Sequence, residues 1–267
     1  MTALGGSLKT HILYHGTCAD GFGGAWAAWK RLGDTAEYIP VQYGQPRPEV
    51  PEGAPLYLVD FSYSREIILA LRDRHPALTI LDHHKTAQEA LAGLDFAIFN
   101  LEKSGAMLAW EHFHSGQAPP PLILYVQDRD LWRFELPSSR EVSAGLWSLP
   151  MTFEAWDAAS VPNLAQDGSA ILRYMGQQTA MICSQAREQS LGGHTVPVVN
   201  ATSLWSEVGE ELIRRFPDAP FAASYFETAR GLRKWSLRSR GSFDVSAVAK
   251  QFGGGGHRNA AGFEAPA

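Results

Sequence analysis

The sequence has little cysteine: Cys18 and Cys183 are the two in 267 residues. Two thiols build no disulfide framework, which excludes the cross-linked scaffolds of small secreted proteins and points to a reducing cytoplasm. No apolar run is long enough to span a bilayer and no charged-then-apolar leader opens the chain, so neither membrane insertion nor export is expected. A positive excess is also missing. With 23 Lys+Arg against 28 Asp+Glu, the net charge is −5, which argues against electrostatic coating of nucleic acid; no long duplex DNA partner is expected. There is no internal repeat, and Gly253-Gly254-Gly255-Gly256 is the one low-complexity stretch. Residues 1–8 are short and expected to fray.

What is present is ordinary globular composition, 45% apolar and 11% aromatic, in a chain long enough for one large domain or two moderate ones. The charge is uneven. Residues 1–190 carry 14 basic against 21 acidic side chains, and residues 191–267 carry 9 against 7. An acidic part suited to cations thus precedes a mildly basic part suited to an anionic substrate.

Short apolar runs at residues 11–14, 38–41, 56–59, 78–81 and 97–99 read as strands, with helical spacing between them at Ala25, Ala28, Trp29 and Leu32, at 65–72 (capped by Ser64) and from Ser104 to His112. Pro119 to Pro121 precede a helix that runs into Asp128. Strands alternating with helices predict an α/β fold with a doubly wound, mainly parallel sheet whose ligands bind beyond the carboxyl ends of the strands. The pattern loosens over 137–163. A connecting helix follows, its stripe clearest over 169–186, and Leu191-Gly192-Gly193 is the expected boundary. The expected organisation is therefore a domain at 1–163, a connector at 164–190, and a smaller mixed-sheet α/β domain at 191–267.

Four clusters close these runs: His15-Gly-Thr-Cys18-Ala-Asp20, Asp60, Asp82-His83-His84, and Asp128-Arg129-Asp130. Singly, each residue reads as well as a cap, a turn or a structural histidine. Together, carboxylates and imidazoles at one sheet edge suit Mn²⁺, Mg²⁺ or Zn²⁺ and metal-assisted hydrolysis of a phosphate ester. Two ions about 3.5–4 Å apart sharing one carboxylate would generate hydroxide and clamp the attacked phosphate. The histidines at 11, 75, 112, 114 and 194 have no acidic companions at such spacing and read as structural or surface residues.

Near the carboxyl terminus, Lys234, Ser236, Arg238 and Arg240 share one face of a strand, with Trp235 and Leu237 on the other. This face reads either as solvated or as a basic platform gripping a phosphate by forked hydrogen bonds. The glycines of 253–256, followed by His257, Arg258 and Asn259, allow backbone amides to approach phosphate closely.

In these motifs the chain resembles the DHH phosphoesterases that carry an appended DHHA1 domain, a group including nanoRNases, pAp phosphatases and RecJ-like nucleases. The four clusters match the amino-terminal motifs in order. Leu237-Arg238-Ser239-Arg240, Asp244-Val245-Ser246 and the run from Phe252 through Gly253-Gly254-Gly255-Gly256-His257-Arg258-Asn259-Ala260-Ala261-Gly262-Phe263 match the DHHA1 signature. The resemblance spans nearly the whole chain. It implies metal ligands at His15, Asp20, Asp60, His83 and Asp128, with Asp60 bridging and Asp130 the weaker alternative to Asp128. It implies that His84 stabilises charge or protonates the leaving oxygen while Asp82 orients the histidines. Substrate would be gripped by Arg238, Ser239, Gly254, Gly255, Gly256, His257 and Arg258, with Arg238 foremost. One departure stands out. The family motif usually reads His-x-x-x-Asp-x-Asp, whereas this chain has Cys18 at the first Asp position and one residue fewer after His15. Cys18 is open to two readings, an inert small residue or a ligand for a softer metal, and so is the number of ions, one or two.

The function implied is a metal-dependent phosphohydrolase, nuclease-like, with Mn²⁺ preferred over Mg²⁺, Co²⁺ and Zn²⁺. Metal-bound hydroxide would cleave short oligoribonucleotides, or linear and cyclic dinucleotides, in a cleft between two domains. The alternatives are removal of the 3′-phosphate of pAp, hydrolysis of polyphosphate or pyrophosphate, and a nucleotide-binding protein whose catalysis is impaired through Cys18. A homodimer is compatible with the sequence.

Overall fold

The computed structural model describes residues 8–267; all but the last of the residues expected to fray, 1–7, lie outside them. The chain divides into two compact units, with the division falling after Ile171. The first contains the strands β1 (Thr10–His15), β2 (Ala36–Val41), β3 (Leu56–Val59), β4 (Leu78–Asp82) and β5 (Ala97–Phe99). They form one sheet in the order β2-β1-β3-β4-β5, and every pairing is parallel.

Strand alternation sends successive side chains to opposite faces, and here both faces are apolar. On one face Ile12, Tyr14, Val59 and Leu81 pack with α1 (Ala19–Leu32), α4 (Gly105–Phe113) and α5 (Pro121–Asp130). On the other, Leu13, Leu58 and Ile80 pack with Ile68 and Leu71 of α2 (Arg65–Arg74). A sheet covered on both faces is what the continuous apolar runs require. Strand order reverses between β1 and β3, and the crevice beyond their carboxyl ends is where doubly wound sheets bind ligands. His15 ends β1 and Asp60 follows β3 directly.

Three helices escaped the sequence pattern. α3 (Lys85–Ala90) buries no side chain, so it carries no apolar stripe. α6 (Ser139–Trp147) and α7 (Phe153–Asp157) are short elements in the 137–163 stretch where the pattern loosens. α8 (Val161–Cys183) starts well before the stripe is clear at Ser169 and runs through the division between units. Ser64 precedes α2, but its side chain makes no capping hydrogen bond to the backbone.

The second unit has β6 (Arg187–Leu191), β7 (His194–Asn200), β8 (Phe221–Glu227), β9 (Leu232–Ser239), β10 (Gly255–Gly256) and β11 (Ala260–Pro266) in the order β10-β11-β9-β8-β7-β6. Only β7 and β8 pair in parallel, so the sheet is mixed. Helices α9 (Trp205–Arg215) and α10 (Val245–Lys250) complete it. Gly192 and Gly193, expected as a boundary, are the left-handed turn of the β6–β7 hairpin, inside this sheet. β6 is polar and exposed, which removes the alternation that would have announced it.

Candidate metal centre

Asp60 is the residue around which the first unit's site is built. It leaves β3 in a left-handed conformation, φ 55°, costing about 1–3 kcal/mol for a residue with a side chain. The turn aims its buried carboxylate back over the strand ends. Asp60 Oδ2 lies 3.4 Å from His15 Nδ1 and 3.2 Å from Cys18 Sγ, and that sulfur lies 3.3 Å from the same histidine nitrogen. Asp60 Oδ1 lies 3.2 Å from His83 Nε2. The same imidazole nitrogen is 3.5 Å from Asp20 Oδ2 and 3.4 Å from Asp130 Oδ2. One carboxylate therefore belongs to three groups of possible donors, His15–Cys18–Asp60, Asp20–Asp60–His83 and Asp60–Asp82–His84.

The surrounding elements hold these groups in place. The N-terminus of α4 donates to Asp20, Gly105 N–H to Oδ2 at 2.6 Å and Ala106 N–H to Oδ1 at 2.9 Å. Gly105 has to be glycine, since a Cβ there would lie 2.5 Å from Asp60 Cβ. Gly21 is equally constrained: its Cβ would lie 2.2 Å from the His15 carbonyl oxygen, closing the 15–21 loop tightly. Asp82 is fully buried and saturated. Its Oδ1 accepts from the backbone N–H of His83 and His84 and pairs with His84 Nδ1 at 2.7 Å, while its Oδ2 accepts from Ser62 at 2.5 Å. Asp82 thus orients the two histidines rather than facing the cluster with a spare oxygen.

One expected ligand, Asp128, is not brought to the cluster by its contacts. Asp128 points into its own loop, accepting from Glu135 N–H at 3.0 Å and Leu136 N–H at 3.1 Å. Asp130, two residues later at the end of α5, is the carboxylate of this pair that meets His83, beside Asp60 and Asp20. Motif spacing favours Asp128, but two residues along a helix is a rotation of about 200°. The two carboxylates face different directions.

The charges in the cluster are unbalanced. Burial raises the Asp20 carboxyl well above the usual range, and the charges of Asp130 and Asp60 add to it. Asp130 is raised by burial and by Asp60 against the opposing pull of His83. Asp60 goes the other way: burial opposes its ionisation, but hydrogen bonds from His15 and His83 and the charges of His84 and His83 hold it well below the usual range. Burial lowers His83, yet Asp130, Asp60 and Asp20 outweigh it and push its imidazole up to about 10. Asp82 likewise raises His84 against burial. Cys18 is raised well up by burial and by Asp60 and Asp20. A hard divalent cation fits this donor set. Asp60 Oδ1 is buried and accepts no well-formed hydrogen bond among the described residues, and three carboxylates converge there on one imidazole nitrogen.

The second unit's predicted residues are largely committed to its own architecture. Arg238 lies across α9, where a Cβ on Gly209 would come within 2.4 Å of its Cγ, and it donates to Ser206, Ser236 and the Leu237 carbonyl. Its strand face is therefore partly covered, not a solvated platform. Ser239 is buried; it donates to the Phe243 carbonyl and accepts from Asn259, so it is a staple rather than a free phosphate ligand. Gly255 and Gly256 form β10 and pair with Gly262 and Ala261. Gly254 packs so closely that a Cβ would lie 2.1 Å from the Gly262 carbonyl oxygen. The glycine run is an edge strand demanded by close backbone approach. His257 N–H donates to the Ala260 carbonyl, and the Arg258 carbonyl accepts from Val245 N–H. Asp244 caps α10 by accepting from Ser246 N–H.

No protein-family model matches the chain. An uncharacterized protein of Acanthamoeba polyphaga mimivirus is 30% identical over 94% of the chain, which spans 66% of that protein's length. Among solved structures, a DHH domain from a member of a family of ribosomal proteins has a TM-score of 0.59 at 11% identity, covering 96% of this chain and 82% of that one. RecJ of Thermus thermophilus in complex with Mn²⁺ has a TM-score of 0.56 at 14% identity, covering 96% of this chain and 49% of that one. The chain has the fold of the DHH-family phosphoesterases. A pGpG-specific phosphodiesterase from Vibrio shares that DHH fold with a TM-score of 0.51 at 13% identity, over 97% of this chain and 93% of that one. The five-stranded parallel sheet and the separate mixed six-stranded sheet give the DHH/DHHA1 layout. No described helix is long and apolar enough to cross a membrane.

Proposed function

We propose that the chain is a metal-dependent phosphodiesterase acting on short oligoribonucleotides or on linear and cyclic dinucleotides. The observation that supports this most is the Asp60 carboxylate, whose two oxygens serve two separate donor sets at the switch point of the sheet. That is the arrangement a pair of divalent cations needs. Asp20, Asp60, His83 and Asp130 would hold one, and His15, Cys18 and Asp60 the other; Mn²⁺ is the preferred ion at the carboxylate-rich position. A bound divalent cation supplies Lewis acidity toward a phosphoryl oxygen and lowers the pKa of water toward neutrality.

The side chains supply the rest. Asp82 holds His84 through its Nδ1 and, against burial, raises its imidazole, which favours the protonated form that would neutralise charge or protonate the leaving oxygen. Asp82 acts as a positioning residue. In the second unit, phosphate recognition falls to Arg238, oriented by Ser206 and Ser236, with His257 and Arg258. That a protein sharing the fold is a pGpG-specific phosphodiesterase supports a dinucleotide as the substrate in this reading.

The test is a comparison of kcat/KM with Mn²⁺ on labelled two-to-five-nucleotide RNA, pGpG, a cyclic dinucleotide, pAp and polyphosphate. The expected order puts the short diesters first. Asp60→Ala is expected to abolish turnover, whereas Arg238→Ala mainly raises KM. Full activity in Asp60→Ala, or a preference for polyphosphate, would overturn the proposal.

A further inference from the structure

The cation position formed by His15, Cys18 and Asp60 differs in chemistry from its neighbour, because one of its three donors is sulfur. His15 Nδ1, Cys18 Sγ and Asp60 Oδ2 form a nearly equilateral triangle with sides of 3.3, 3.2 and 3.4 Å. For a tetrahedral zinc with ordinary Zn–S, Zn–N and Zn–O bonds, the face edges come to about 3.5 Å from sulfur to nitrogen or oxygen and about 3.3 Å from nitrogen to oxygen. The three atoms therefore stand within a few tenths of an ångström of a zinc-binding face.

Two further features point to a ligand. Asp60, shared by this triangle, is buried, and its other carboxylate oxygen accepts no well-formed hydrogen bond among the described residues. His15 presents Nδ1 to the sulfur, while its Nε2 lies 3.4 Å from the exposed Thr17 hydroxyl, on the side where metal-bound histidines take an outer partner. Helix capping does not account for the sulfur. Cys18 does cap α1, accepting from Gly21 N–H at 3.3 Å, but serine, threonine, aspartate or asparagine would cap it better. Cys183, by contrast, is buried within an apolar cluster of the second unit.

We infer that the His15–Cys18–Asp60 position selects a thiophilic divalent ion of the zinc or cobalt class, while the Asp20–Asp60–His83–Asp130 position takes a hard ion such as Mn²⁺ or Mg²⁺. Thiolate binds zinc and cobalt well and manganese and magnesium poorly, so a centre with one sulfur donor on one side and three carboxylates on the other sorts its cations by softness. The inference rests on the metal-dependent reading of this site and deepens it.

Cobalt makes the sulfur visible. Titrating Co²⁺ into the full-length protein, freed of metal by chelation, is expected to give sulfur-to-cobalt charge-transfer absorption in the near ultraviolet, saturating at one equivalent. The absorption should survive in Cys183→Ser and vanish in Cys18→Ser and Cys18→Asp. Cys18→Asp should still bind a second ion, now manganese, counted by electron paramagnetic resonance. Its zinc-to-manganese affinity ratio should fall on the order of tenfold or more. Absence of charge-transfer absorption in the wild type, its persistence in Cys18→Ser, or an unchanged affinity ratio in Cys18→Asp would overturn the inference. These readouts are independent of turnover. Phosphodiesterase activity without the absorption sinks the mixed centre and leaves the function standing, whereas the absorption without activity on any diester does the reverse.

Discussion

Two aspartates separated by one residue do opposite jobs. Asp128 ties down the loop that follows α5, accepting two backbone N–H groups, and Asp130 faces His83. Asp128→Asn is therefore expected to cost about 1–2 kcal/mol of stability in urea unfolding. Asp130→Asn should leave the metal-free protein no less stable, because it removes one of several repelling carboxylates, while lowering Mn²⁺ affinity and kcat at least tenfold. A stable, inactive Asp128→Asn beside a destabilised, active Asp130→Asn would reverse the assignment. His83 supplies a pH test. Its imidazole, raised to about 10 by Asp130, Asp60 and Asp20, is protonated at neutral pH in the metal-free protein and has to lose that proton to become a ligand. Metal binding at pH 7 should thus release a proton, detectable by calorimetry in buffers of different ionisation enthalpy, and apparent affinity should rise with pH. The stability contributed by protonated His83 is complete below the ordinary histidine pKa and fades as pH rises toward 10, so the metal-free protein should weaken over that window. Metal-saturated protein should not show this loss.

At the scale of elements, the strands of the first unit were legible because their apolar runs are buried on both faces, and each run ended on a polar residue that the fold delivers to one edge. His15, Asp20, Asp60 and the Asp82-His83-His84 trio could be placed for that reason. What periodicity could not supply was rotation about a helix: spacing alone does not say which carboxylate of Asp128 and Asp130 faces inward. Nor could it distinguish a phosphate-binding glycine loop from an edge strand, since both need backbone without side chains; the positions of Gly254, Gly255 and Gly256 became clear only beside β11. The residues that support the site, Ser62 on Asp82 and the Gly105 and Ala106 amides on Asp20, have no sequence signature beyond a helix start at Ser104. Two substitutions test these supports. Gly105→Ala should push the start of α4 off Asp60 and reduce Mn²⁺ affinity, read by titration, with the fold retained by circular dichroism. Asp244→Ala, which removes the cap of α10, should cost about 1 kcal/mol in unfolding without changing Mn²⁺ affinity.

For the whole molecule, residues 1–190 are acidic and the remainder mildly basic, as the proposed function would require of a cation-holding part and an anion-recognising part. A ligand that binds only the folded state stabilises by an amount set by its concentration over its dissociation constant, about 2.7 kcal/mol at a hundredfold excess. Melting temperature should therefore climb with Mn²⁺ in the wild type and stay flat in Asp60→Ala. Metal-dependent diester cleavage is tested most directly by hydrolysis of labelled pGpG by chelator-treated protein, followed as Mn²⁺ is returned. No cleavage is expected without metal, and saturable release of mononucleotide is expected as the ion is added. Cleavage that proceeds equally well in excess chelator, or none at any concentration of Mn²⁺, Mg²⁺, Co²⁺ or Zn²⁺, would contradict the proposed function.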